Sequence, residues 1–182
     1  MSESVSERIN IFLTVDMQTI NGYFNMHDPA PIYKRQLSHQ LEDYIMACTR
    51  LNKRYSVIFY KLKCTSELDK EYAKPLMYSI RRHFALKKIV REKDFQKFKR
   101  RSWTLLSISL LVAMFCQGVV PLLIDTENLI LRPLNNSLDI FSWVLLWRPI
   151  DVLLFSWTPF LKDISVLDKL ATAELIIIEN EV

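Results

Sequence analysis

The sequence predicts a small cytosolic sheet module of α/β (or α+β) class, joined by a basic helix to an α-helical transmembrane hairpin. Three observations carry this reading. Arg8 to Asp16 alternate between apolar and polar residues. Ser102 to Ile124 contain no charged residue. Leu175-Ile176-Ile177-Ile178 form a third apolar run, near the end of the 182-residue chain, too short to cross a bilayer. Half of the residues are hydrophobic and only 2 are Gly, which excludes a loop-rich or disordered chain.

In the first run Ile9, Ile11, Leu13 and Val15 point one way, as in a strand with one buried face. Asn21 to Pro31 read as a turn-rich connector. Asp28-Pro29 resembles a helix start, so a helix is expected from there to about Leu51, with Leu37, Leu41, Tyr44, Ile45, Cys48 and Leu51 on one stripe. Ser56 to Lys63, rich in β-branched and aromatic residues, predicts a second strand. Ser66 with Asp69 has the spacing of a capping box, and Pro75 either kinks the next helix or marks its first turn. No Gly or Pro follows until Gly118, so one helix of roughly 70 Å, at ~1.5 Å per residue, is expected to run from Pro75 to Val120. The βαβ order suggests a ferredoxin-like or similar small sheet, closed by Leu175–Ile178 after the chain returns from the membrane. The expected organisation is a cytosolic βαβ module over 1–74, a basic linker helix over 75–101, a membrane hairpin over 102–161 and a cytosolic tail over 162–182.

As a helix, Ser102–Ile124 would span about 34 Å, enough for a hydrocarbon core of ~30 Å. Lys97, Lys99, Arg100 and Arg101 precede it, and Trp103 suits the interface, so the positive-inside rule places that end in the cytoplasm. Ser107, Gln117 and Gly118 mark a face on which another helix is expected to pack. The second apolar segment, Leu138–Leu161, carries Arg148 and Asp151 near its middle, and these offset its thirteen Leu, Ile, Val and Phe residues. Three apart, the two charges are placed to neutralise each other, and Pro149 to break the helix at Arg148. The segment is either a kinked second span or a shorter span followed by an interfacial helix, and Trp143, Trp147 and Trp157 suit both. The connecting loop, Asp125 to Ser137, has two acids against one base, in keeping with an outside position.

The run from Trp143 to Pro159, with Trp147-Arg148-Pro149 and Trp157-Thr158-Pro159 within it, resembles the signature of an uncharacterised family of small bacterial two-span membrane proteins. The basic helix feeding the first span is similar too. The resemblance implies a bacterial inner-membrane protein with a cytosolic α/β portion, and no particular activity. Asp151 stands where that pattern more often has glutamate, and an Asp-Trp-Trp-Pro-like ending is here Ser156-Trp157-Thr158-Pro159.

Charge is unevenly spread. Arg81 to Arg101 hold ten Lys or Arg against Glu92 and Asp94, and removing that net +8 from the chain's +4 leaves the remainder at −4. The expected partner is a bilayer with anionic headgroups, met by Lys97, Lys99, Arg100 and Arg101. Phe84, Phe95 and Phe98, interleaved with the charges, would suit nucleic acid, but the adjoining span makes lipid the better reading. The membrane-embedded functional candidates are Arg148 and Asp151, with Pro149, Trp147 and Trp157, set to line an ion path, hold a lipid headgroup or lock oligomer contacts. The plain alternative is that the charges pair or snorkel to end a helix.

Cys48, Cys64 and Cys116 lack disulfide or CxxC spacing and read as buried residues in a reducing compartment. His27, His39 and His83 are isolated, and His39 with Glu42 lacks further ligands, so no metal is expected. Asp16, near Asn21 and Asp28, ends a strand where α/β folds place ligands, but no glycine-rich loop follows to cradle phosphate. No cofactor, catalytic residue or enzymatic activity is expected.

The first functional expectation is a membrane-anchored interaction module, homo-oligomeric or bound to a protein partner, with both termini cytoplasmic at the inner membrane. The alternative is a membrane-disrupting or pore-forming effector of stress or defence type, triggered through the cytosolic module. A weaker third is an enzyme acting on lipid or nucleotide at the interface.

Overall fold

A computed structural model describes residues 8–16, 19–49, 56–64, 67–119 and 132–179. Its elements are β1 (Arg8–Val15), α1 (Thr19–Gly22), α2 (His39–Thr49), β2 (Val57–Cys64), α3 (Glu67–Gly118), α4 (Arg132–Phe155), α5 (Trp157–Thr172) and β3 (Glu174–Glu179). The chain divides into two compact units, Met1–Val90 with Ile164–Val182, and Arg91–Asp163.

In the first unit the strands form a three-stranded sheet in the order β1-β2-β3. Both pairs are parallel, with Ile11 opposite Tyr60 and Tyr60 opposite Leu175. The fold is therefore mixed α/β. A ferredoxin-like sheet alternates strand direction, whereas both strand pairs here are parallel and the antiparallel bridge of Phe24 with Leu37 stands apart from the sheet. The alternation read from the sequence is realised: Ile11, Leu13 and Val15 are buried, with Phe12 and Thr14 exposed between them. On β2 the buried set is Ile58, Tyr60, Leu62 and Cys64. These strands share one core with Leu41 and Ile45 of α2, Leu76, Met77, Ile80 and Phe84 of α3, and Leu167 and Leu170 of α5. The Tyr60 hydroxyl donates to the Leu170 carbonyl at 3.3 Å, and Arg81 donates to the Ala173 carbonyl at 2.7 Å. Both bonds fix the turn from α5 into β3.

Two local expectations need correction. The helix expected from Asp28 begins at His39 instead. The Asp28 carboxylate accepts from the Gln36 and Ala30 N–H groups at 2.7 and 3.0 Å, and so ties a loop rather than starting a helix. Ser38 does the capping, its Oγ accepting from Leu41 N–H at 3.3 Å. Leu51 and Ser66 lie outside the described residues. Pro75 lies inside α3, which runs without interruption to Gly118.

In the second unit the expected first span, Ser102–Ile124, is helical as far as Gly118, and residues 120–124 lie outside the described residues. So does the expected loop up to residue 131. The next helix starts at Arg132, six residues before Leu138. It passes through Pro149 unbroken and stops at Phe155, so the break falls at Ser156 rather than Arg148. Among the described residues one stretch, Ile140–Thr172, taken across α4 and α5, is long and apolar enough by length and composition to cross a membrane.

Candidate functional site

The second unit places its side chains in an order opposite to a water-soluble core. On α3 the buried positions are Ser102, Ser109 and Ala113, and on α4 they are Ser142 and Pro149. Ser107, Gln117 and Gly118, expected at this contact, are exposed instead. Large apolar residues point outward: Leu111 is 67% exposed, Trp143 70% and Trp147 68%. Small residues at the contact let two backbones approach closely, as in helix pairs surrounded by lipid. In water, so large an apolar exterior would be an aggregation liability.

The contacts between the two helical arms have a consistent order. Arg91 donates to the Asp163 carboxylate at 2.6 Å, and its guanidinium lies 4.7 Å from the Phe160 ring centre. Phe98 stacks on Phe160 at 5.2 Å, and Phe95 meets Trp157 edge-on at 5.7 Å. Lys99 Nζ lies 5.7 Å above the Trp157 ring. Beyond these, Ser102, Leu105 and Ser109 share a groove of about 390 Å³ with Phe141, Val144, Leu145, Arg148, Pro149 and Val152. Rising numbers on α3 thus meet falling numbers on α5 and α4, the signature of an antiparallel pair. The register sets Arg148 level with Leu105, about one helical turn, roughly 6 Å, beyond Arg101.

This register bears on Arg148 and Asp151, which the sequence puts near the middle of Leu138–Leu161. They stand beside the basic end of α3. Nor do they neutralise each other. Both are exposed, and among the described residues neither has an ion pair or hydrogen bond. The other candidates are dispersed. Trp147 faces outward, and Trp157 is half-buried with its Nε1 donor enclosed and without an acceptor among the described residues. Arg100 and Arg101 are exposed, and Lys97 makes only a loose ion pair with Asp94 at 3.8 Å.

The aromatic residues that would have served nucleic acid are already used. Phe84 is wholly buried in the first unit's core, and Phe95 and Phe98 pack against Trp157 and Phe160. The sequence signal missed here is paired spacing: Phe95 and Phe98 are three apart on one arm, and Trp157 and Phe160 three apart on the other.

In the first unit Glu42 pairs with Lys87 and with His83, the latter at 3.0 Å, rather than with His39 as its spacing suggested. Burial pushes the His83 pKa down, helped by the nearby His39, and burial lowers that of Lys87 as well. Glu42 already shares its charge with Lys87, so the cost of burying an imidazolium prevails at His83. His27 and His39 are exposed, and no group of three or more metal-ligating side chains occurs among the described residues.

Asp16 caps α1, its Oδ1 accepting from Thr19 N–H at 2.6 Å, and Asn21 is exposed on that helix. A cleft of about 490 Å³ lies nearby along β1, where Tyr44 and Tyr23 donate hydroxyls to the Phe12 and Thr14 carbonyls at 3.1 and 2.7 Å. These bonds occupy an otherwise open strand edge. Cys64 is buried, while Cys48 and Cys116 are half-buried; all three are free thiols.

Comparison with known proteins returned no matching family model, no similar curated protein and no solved structure of similar fold.

Proposed function

We propose that this chain is an integral membrane protein whose helical hairpin, α3 with α4, anchors a cytosolic interaction or oligomerisation module at the membrane. The observation that carries the reading is the inverted second unit, with serine, alanine and proline at the helix contact and tryptophan, leucine and phenylalanine on the outside. Burial of apolar surface in water contributes ~25 cal/mol per Å², so an aqueous chain would gain by turning these residues inward. In lipid that incentive is absent.

Sheet topology supports the same-side placement of the termini. β2 and β3 are hydrogen-bonded neighbours, so the chain leaves the sheet at Cys64 and comes back to it at Glu174. Whatever crosses a bilayer between them crosses it an even number of times. The basic run ending at Arg101 supports a cytoplasmic location for that side. The likeness of Trp143–Pro159 to small bacterial two-span proteins adds the bacterial inner membrane. The effector reading, in which Arg148 and Asp151 would line a water-filled interior, is less favoured, because their register lies at the headgroup end of the hairpin.

The test uses the full chain with its own cysteines replaced and a single cysteine introduced by Asn128→Cys. The chain should resist extraction by alkaline carbonate. The introduced thiol should react with a membrane-impermeant maleimide added outside intact cells. Recovery in the soluble fraction would refute the membrane reading, and labelling only after lysis would refute the crossing.

A further inference from the structure

Arg148 and Asp151 are opposite charges three residues apart on α4, where i,i+3 side chains are neighbours, yet they do not pair. Both are exposed; Arg148 lines the groove between α3 and α4, and Asp151 adjoins Arg148 one helical turn further along α4. The order along that groove is informative. Asp151 lies closest to the level of Arg101, Arg148 stands one turn deeper, level with Leu105, and Leu145 and Phe141 follow.

Resting on the membrane reading above, we propose that this groove binds one molecule of an aminophospholipid of the phosphatidylethanolamine type. Its phosphate sits on Arg148, its ammonium on Asp151, and one acyl chain lies along Leu105, Leu145 and Phe141. Charge and depth both fit. A zwitterionic headgroup carries its ammonium on the water side of its phosphate, and the protein presents anion then cation in the same direction. A guanidinium offers a fork of donors to phosphate oxygens, and a primary ammonium offers the carboxylate three. Paired to lipid, each of the two side chains gains an oppositely charged partner without leaving headgroup depth. An anionic headgroup lacking an amine would leave Asp151 facing like charge. A choline headgroup would present no N–H to it.

The experiment is native mass spectrometry of the full chain in a mild detergent, with dioleoyl phosphatidylethanolamine, phosphatidylcholine and phosphatidylglycerol added in turn. The expected result is retention of one phosphatidylethanolamine, roughly tenfold over phosphatidylcholine, as suits one charge-assisted hydrogen bond. Asp151→Asn should erase that preference while keeping phospholipid retention, and Arg148→Gln should lower retention of all three lipids. Asp151 is exposed, so its variant should keep the helical content of the wild type by circular dichroism. Equal retention of the three lipids, a preference for phosphatidylglycerol, or a preference unchanged in Asp151→Asn would overturn the site while leaving the anchor reading standing. A chain that stays monodisperse without detergent would instead sink the anchor reading.

Discussion

In the sheet unit Ile11, Ile45, Leu62, Leu76 and Ile80 are enclosed on every side, while in the helical unit residues as large as Leu111, Trp143 and Trp147 stand two-thirds exposed around buried serines. On the proposed membrane reading, the same residue types serve two solvents. Around the sheet, water drives apolar side chains together. Around α3 and α4, close backbone approach replaces that drive, and the apolar side chains contact the surroundings. An apolar residue therefore reveals its role only with its neighbours: Leu76 and Leu111 lie on one continuous helix and are predicted to respond very unequally to the same substitution.

The sharpest way to break this comparison is to truncate both. Leu76→Ala should destabilise the first unit by about 2–5 kcal/mol through a cavity, whereas Leu111→Ala should stay within about 0.5 kcal/mol. Chemical unfolding of the full chain in detergent, followed by far-ultraviolet circular dichroism, separates the two. Adding charge reverses the sensitivity. Leu111→Arg should cost about 2.5–3.5 kcal/mol of insertion free energy and lower the carbonate-resistant fraction. The same change at exposed Tyr78, in the sheet unit, should leave that fraction unchanged.

A smaller effect is expected at the helix contact. Ser109→Leu adds bulk where only 7% of the residue is exposed, and overpacking of this kind costs about 1–3 kcal/mol. Its readout is the melting temperature in detergent, with Ser107→Leu on the exposed side as the neutral control.

The smallest expected effect is electrostatic and confined to the sheet unit. The folded-state pKa of His83 is lowered by burial, so the unfolded chain binds the proton more readily. Stability contributed by neutral His83 is present above the ordinary histidine value of ~6.5 and is lost as pH falls below it, through the lowered folded value. His83→Gln should flatten that acid-side loss, whereas His39→Gln should leave most of it.

The strands were legible because a period of two over Arg8–Val15 and Val57–Cys64 has one structural meaning when one face is buried. The final strand was legible because four apolar residues are too few for lipid. The start of α2 was not, because Asp28-Pro29 serves a loop tie as well as a helix start, and only the Gln36 and Ala30 amides distinguish the two. Pro149 misled for a related reason. Removing one N–H does not end a helix whose proline is buried against a neighbour. At the candidate site the sequence named Arg148 and Asp151, but their level along α3 depends on the register between α3 and the arm formed by α4 and α5. That is a long-range property, set by Arg91 with Asp163 and by Phe98 with Phe160, and no local spacing contains it.

All four tryptophans, Trp103, Trp143, Trp147 and Trp157, fall in the helical unit, so intrinsic fluorescence samples its surroundings alone. In vesicles made with phospholipids brominated along the acyl chain, the emission should be strongly quenched, and aqueous iodide should have little effect. Strong quenching by iodide with none by bromolipid would mean that Trp143 and Trp147 face water, and the hairpin would not be a membrane element.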